Sequence, residues 1–443
     1  MPSRSSSPHR ALRAATAAAL CATLLAACGS GGDSGPDAAG SNGQPVNLTF
    51  WAWSKGTKEV VEAFNASHPN IKVVFEEIPS GVAGGYAKIT NAVKAGNAPD
   101  VFNVEYSQLP DLVSQGAVQN IGKLVGGDLR AKYLPQAVEL TTLGGSTWAL
   151  PLDASPQAFY YRKDLFDKAG LTPPKTWQEF RATAQKLKQA QPDTRIATFF
   201  PDDPVTFEAM AWQAEAHWFT GVGDTWTVDV NGGKTRQVAE YWQQLMADDL
   251  VRVQPSFSQQ WTASLQKGET AGYLGASWGG GVLKSTLPDA SGKWAVAPVP
   301  TWDGNAASGM VGGTTFAVSK DSKKAKAAVE FATWATTTPE GIKARIASGT
   351  SSAYPAAPAL VPVAKAAFKA DFYGGQDIYA VYSDAARSIR PNWQWGPVMG
   401  ATNTSLKDSF GRLPQSGSVQ GALDAAQQAT LAELKNRGLK TRQ

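Results

Sequence analysis

Cysteine is almost missing from this chain. The 443 residues contain two, Cys21 and Cys28, and neither lies in the body of the sequence, so no disulfide framework is available to staple it. Histidine is nearly as scarce, three in all. With no His-Glu-x-x-His and no Cys-x-x-Cys, a dedicated zinc site is not expected. An excess of one charge is also lacking. The 41 basic residues outnumber the 37 acidic ones, but Arg4, Arg10 and Arg13 stand in the N-terminal segment, where no acid occurs, and the remainder is close to balance. That balance gives no reason to expect nucleic acid or an anionic surface as partner. Stability has to come from a large core, and 15 Trp and 17 Phe are present to fill one.

What is there begins with a leader. Positions 11–27 form an Ala-rich apolar run behind the three arginines, too short for a membrane span and followed by no stop-transfer pattern. Leu25-Ala26-Ala27-Cys28 closes it and resembles the bacterial lipoprotein signal. The resemblance implies removal of residues 1–27 and acylation of Cys28, on the outer face of the cytoplasmic membrane. Residues 29–45 (GSGGDSGPDAAGSNGQP) cannot bury apolar area. With Cys28 they predict a flexible tether over 28–45, with a reach of roughly 20–25 Å.

Beyond the tether, strands and helices alternate. Val46, Leu48 and Phe50 share one face of a strand, with Trp51 and Trp53 on the other. A helix with Val60, Val61 and Phe64 inside follows, then a strand over 71–75, a spacing that predicts a parallel βαβ unit. Further strands are expected over 100–104, 294–298 and 315–318. Thr176 and Glu179 form a capping box before a helix. Val238, Tyr241, Trp242, Leu245 and Met246 make a buried helical stripe, and Ser322 is expected to cap a helix carrying Ala328, Val329 and Ala332 inside. The class is α/β.

Catalytic motifs fail on inspection. Gly232-Gly233-Lys234-Thr235 suggests a phosphate loop, but the first glycine of that motif would fall on Val228. Gly275-Ala276-Ser277-Trp278-Gly279 fits a nucleophile elbow, whose general-base histidine follows the serine; no histidine follows His217. A turn presenting Trp278 is the simpler reading. Paired carboxylates for glycoside hydrolysis stay open, because only distance identifies them.

Three blocks then carry a resemblance over residues 46–437. They are Ala95-Gly96-Asn97-Ala98-Pro99-Asp100-Val101-Phe102; Trp148-Ala149-Leu150-Pro151 with Phe159-Tyr160-Tyr161-Arg162-Lys163-Asp164-Leu165-Phe166; and Ala297-Pro298-Val299-Pro300 with Gly312-Gly313-Thr314. Together, in this order and behind the leader, they resemble the extracellular solute-binding lipoproteins of carbohydrate ABC importers, the family that includes maltodextrin-binding protein. Arg162 stands where that family usually has Asn. The resemblance implies two α/β lobes with a hinge crossed more than once, 46–152 plus 300–336 forming the first and 153–299 plus 337–443 the second, with ligand between them. It implies a monomer without catalysis or cofactor that hands a sugar, an oligosaccharide by preference, to an ABC permease. A lipid-anchored glycoside hydrolase and a receptor for a non-sugar solute are the alternatives.

A pyranose presents a C–H face that stacks on aromatic rings and a hydroxyl rim that suits directional polar groups. On that ground the expected ligand residues are Trp53 at a strand end; Glu105, Tyr106, Ser107 and Gln108 in the loop where relatives bind sugar hydroxyls; and Asp203, Trp278, Gly312 and Gly313. The resemblance adds at least one of Trp393 and Trp395, in the region where relatives place a second aromatic wall. Asp100 is expected to hold its turn, and Trp177, Trp242 and Trp334 to be core.

Overall fold

The computed structural model describes residues 45–223, 225–415 and 417–442. The leader, Cys28 and all but the last residue of the tether lie outside them. Two sheets organise the rest. The first has the strand order Ile71–Glu77, Val46–Ala52, Val101–Glu105, Thr314–Val318, Ala149–Pro151. Its first three strands are parallel, joined through helices Thr57–Ser67 and Gly85–Ala95 as the βαβ spacing requires, while Thr314–Val318 runs antiparallel to both its neighbours. Phe50 anchors the layer beneath, its ring 5.3 Å from those of Phe316 and Phe331. Full burial of such a side chain stabilises by about 1.5–3 kcal/mol.

The second sheet places Gln157–Arg162 between Gly272–Ala276 and Trp294–Pro298, antiparallel to both. Beside it Val251–Val253 pairs in parallel with Ala197–Phe199. Helix Trp177–Ala190 opens with the capping box, Thr176 accepting from the Glu179 N–H and Glu179 reaching back to the Thr176 N–H. Trp177 and Trp242 are fully buried and Trp334 is half-buried.

The chain passes between the sheets three times, and the passages lie side by side. Val311 N–H donates to the Ser155 carbonyl at 2.9 Å, and Tyr354–Pro355 pairs antiparallel with Asp153–Ala154. Two backbone-paired α/β lobes sharing a three-stranded connection are the result. Residues 337–443, assigned above to the second lobe, do not stay together. Helix Pro339–Ala347 packs on Thr57–Ser67, and a Cβ on Gly56 would sit 2.2 Å from the Arg345 carbonyl.

Two local expectations change. Ser322 does not cap the following helix, Ala325–Thr337, whose N-cap is Lys324. Its hydroxyl instead donates to Asp100 at 2.7 Å. Asp100 also accepts from the Thr49 N–H and hydroxyl and from Lys324; burial works against ionisation, yet these bonds hold the carboxyl below its usual range. The glycines after Trp278 do not serve to uncover its ring. A Cβ on Gly280 would meet the Tyr382 hydroxyl at 2.5 Å, and one on Gly281 the Thr350 carbonyl at 2.6 Å. They let helix Gly279–Thr286 touch the third passage.

Candidate functional site

At the edge of the first sheet, strands Val46–Ala52, Val101–Glu105 and Ala149–Pro151 end together, where Thr314–Val318 begins. Open α/β sheets bind ligands at such carboxyl ends. A cavity of about 380 Å³ lies there, facing Asp203, Val205, Glu208, Phe257, Trp261 and Trp278 from the other lobe. Trp53 and Trp278 therefore stand on opposite sides of one space, contributed by segments 225 residues apart by number.

Of the expected residues, Trp53, Glu105, Ser107, Asp203, Trp278, Gly312 and Gly313 line this cavity. Trp53 meets Tyr86 edge-on at 5.7 Å. Trp278 donates its indole N–H to the Val311 carbonyl at 3.0 Å, which fixes the ring against the second passage. Gly312 and Gly313 have φ of 70° and 96°. A Cβ on Gly313 would lie 2.9 Å from the Tyr106 ring, so only glycine lets this turn run close to the wall.

Four expected residues lie outside the cavity. Tyr106 is buried, its hydroxyl donating to the Asp153 carbonyl at 2.9 Å, and it supports the Gly313 turn from beneath. Gln108 is buried ahead of helix Leu109–Ser114. Trp393 and Trp395 are core residues, 6 % and 3 % exposed. Trp393 stacks on Trp212 at 5.2 Å and 8°, and Trp395 meets both rings edge-on. The Arg390–Gly396 loop is rich in Trp because it seals the second lobe. Ser277, the elbow serine, is fully buried and gives its hydroxyl to the Ala154 carbonyl.

The cavity also recruits residues that pattern alone did not single out. Phe257 is 42 % exposed with φ 51°, a left-handed backbone rare for an aromatic residue. Its ring lies 5.3 Å from Trp261 and 5.9 Å from Trp278, completing an aromatic wall. Glu208 is 1 % exposed, and neither carboxylate oxygen has a partner. The available signal was a lone acid in Val205–Gln213 (VTFEAMAWQ), a helix apolar almost all round. Arg345 is buried too; Nη1 donates to the Lys55 carbonyl at 3.3 Å, while Nε and Nη2 have no partner.

Burial sets the protonation of these groups. It pushes Glu105 up to about 7, against the hydrogen bond from the Tyr86 hydroxyl at 2.5 Å and with the fields of Asp203 and Asp153. It pushes Asp203 up to about 6. Glu208 goes well above the carboxylate range through burial, then through Asp203 and Glu105. Arg345 is lowered to about 10 by burial, opposed by Asp153. Unpartnered acceptors on Glu208 and unpartnered donors on Arg345, lining one cavity, suit a ligand that can both give and take hydrogen bonds. Among the described residues no group of His, Cys, Asp and Glu is placed to hold a metal ion, and no helix is long and apolar enough to cross a membrane.

Away from the three passages, the lobes also meet at a polar cluster, in which the Ser114 hydroxyl donates to the Pro397 carbonyl at 3.2 Å. Asp111, on helix Leu109–Ser114 of the first lobe, accepts from Arg437 at 2.7 Å and from the Gly400 N–H at 3.2 Å. Arg437 follows helix Val419–Asn436 of the second lobe, and it also donates to the Pro397 carbonyl.

Residues 52–342 match the bacterial extracellular solute-binding protein family. Relatives from Brucella abortus are 34% identical over 148 residues, a match spanning 32% of this chain and 36% of theirs. The arabinooligosaccharide-binding protein of Bacillus subtilis is 25% identical over 325 residues, 70% of this chain and 74% of that protein. The solved structure of the ABC transporter associated binding protein from B. animalis subsp. lactis Bl-04, in complex with beta-1,6-galactobiose, superposes with a TM-score of 0.81 at 28% identity. That alignment covers 90% of this chain and all of the other.

Proposed function

The chain belongs to the bacterial extracellular solute-binding proteins, and from that premise we propose that it captures a carbohydrate between its lobes and presents it to an ABC permease. One observation carries the choice of ligand: the cavity pairs aromatic walls, Trp53 against Trp278 with Phe257 and Trp261, with buried polar groups that lack partners. Ring C–H faces cover the first and hydroxyls satisfy the second. About 380 Å³ is near the lower end of ligand pockets, roughly 300–1,000 Å³. A short saccharide fits it better than a long chain, in keeping with the disaccharide named for the structural relative.

The mechanism is hinge closure. We assign residues 46–152 and 312–347 to the first lobe, most of the rest to the second, and the hinge to the three side-by-side passages. A ligand favours closure only by the contacts it makes with both lobes at once. The raised carboxyls then serve as hydrogen-bond partners, and no bond of the sugar is broken. Cys28 carries the lipid anchor, residues 29–45 the tether, and the receptor works as a monomer.

A thermal-shift screen over mono- and oligosaccharides, followed by titration calorimetry and X-ray scattering, tests the reading. A saturating sugar should raise the melting temperature and shrink the radius of gyration. Binding without contraction would overturn hinge closure, and turnover of the sugar would restore the hydrolase alternative.

A further inference from the structure

We infer that the ligand carries a free, protonated amine on one ring, seated at the acidic end of this cleft; the inference rests on the sugar-receptor reading and narrows it to amino sugars. Glu208 supplies the first observation. It is the only charged residue of Val205–Gln213, is 1 % exposed, lines the cavity, and leaves both carboxylate oxygens unpartnered. A buried carboxylate in that condition costs stability unless a ligand satisfies it.

The second observation is what surrounds it. Glu105 approaches from the first lobe with the Tyr86 hydroxyl as its hydrogen-bond donor. Asp203, just ahead of the helix, has one long bond, 3.4 Å from the Val205 N–H. The fields of Asp203 and Glu105 act on Glu208 in the same sense as burial, and among the described residues no cation offsets Glu208 or Glu105. Lys407 and Asp202 act on Asp203 with opposite signs. Of the cavity cations, Arg345 acts on Asp153, which is already held by the Thr314 N–H and hydroxyl, and Lys55 pairs with Glu77 at 3.8 Å. The cavity therefore gathers three carboxyl groups, two of which, Glu208 and Glu105, have no counter-ion among the described residues.

A neutral polyol can donate hydroxyls to such groups, but it brings no charge to offset their repulsion. A metal ion would, yet the three groups do not converge to hold one, so the charge has to come on a ligand group that bonds Glu208 directly. An ammonium group does both. It offers three donors and a positive charge, and the aromatic faces of Trp278 and Phe257 in the same cavity favour a cation as well.

The test is calorimetry on the full chain with matched pairs: glucosamine and glucose, galactosamine and galactose, and the β-1,4-linked glucosamine disaccharide and cellobiose. In at least one pair the amine member should bind about tenfold tighter or more at pH 7.5. Binding should also release a proton, read as a dependence of the heat on buffer ionisation enthalpy, because Glu208, buried beside Asp203 and Glu105, holds one in the empty cleft. Glu208→Gln should remove the preference while leaving the melting temperature unchanged or higher. A hydroxyl member that binds as well or better in every pair overturns the inference, as does a preference that survives Glu208→Gln. If no pair binds, the amine is wrong; the sugar reading falls with it only if the neutral oligosaccharides of the thermal-shift screen fail too.

Discussion

Arg437→Ala should loosen the receptor without touching its ligand. In the structure Arg437 donates to Asp111 at 2.7 Å, and the pair joins elements of different lobes. Asp111 is 7 % and Arg437 26 % exposed, so the contact is mostly but not fully shielded from water. A hydrogen bond between charged groups contributes about 1.5–3 kcal/mol when shielded. Screening at the Arg437 end reduces this to about 1–2 kcal/mol. That free energy stabilises the closed arrangement alone, since opening separates the two helices. In a receptor that rests open, losing it should weaken sugar binding about 5–30-fold. The radius of gyration at saturation should be unchanged, because the ligand still spans both lobes. Asp111→Asn, which keeps acceptor and donor but removes the charge, should give a smaller loss, and the double variant should be less than additive. Calorimetry and scattering on the four proteins supply the readout. If affinity is unchanged and only the melting temperature drops, the pair stabilises the fold rather than the closed state, and the reasoning is refuted.

Trp278→Ala should cost about 1–3 kcal/mol of sugar binding with little loss of fold stability; normal affinity with a large fall in melting temperature would place the ring in the core. Glu105 and Asp203 make the ligand-free protein sensitive to pH. Their folded values, about 7 and about 6, stand above the 4.5 and 3.8 of free side chains, so the folded chain holds protons that the unfolded chain releases. That stability is present in full below about pH 4 and is lost as pH rises through 6 and 7. The melting temperature should therefore fall between pH 5 and pH 8, and Glu105→Gln with Asp203→Asn should flatten the slope. Gly313→Ala, at φ 96° and 2.9 Å from the Tyr106 ring, should lower stability by about 1–3 kcal/mol and distort the wall beside Glu105; an unchanged melting curve would refute it. Cys28→Ser should abolish acylation and release the protein from the membrane, checked by fractionation.

Much of the architecture was legible because it is written in local pattern. The alternation at Val46, Leu48 and Phe50, the capping box at Thr176 and Glu179, and the stripe through Val238, Trp242 and Leu245 each report one element's apolar face, and burial keeps that face inside. Trp53 was legible for the same reason, as a ring on the far side of a strand end. The fate of Ser322 was not. A serine ahead of a helix can cap it or bond elsewhere, and Asp100, 222 residues away, took the hydroxyl.

The sequence by itself determined the α/β class, the supply of aromatic residues for the core and the lack of a zinc or nucleophile motif. Only the tertiary structure decided which aromatic rings meet the cavity. Trp278 and Trp393 sit in similar glycine- or proline-flanked loops, yet Trp393 is covered by Trp212, while Trp278 faces the other lobe. It also decided that Glu208 would be buried without a partner and Arg345 with two of its three nitrogens unpartnered, although both are ordinary members of helices. Exposure and pairing belong to the surfaces that come together, and those surfaces are made by segments hundreds of residues apart that no local pattern connects.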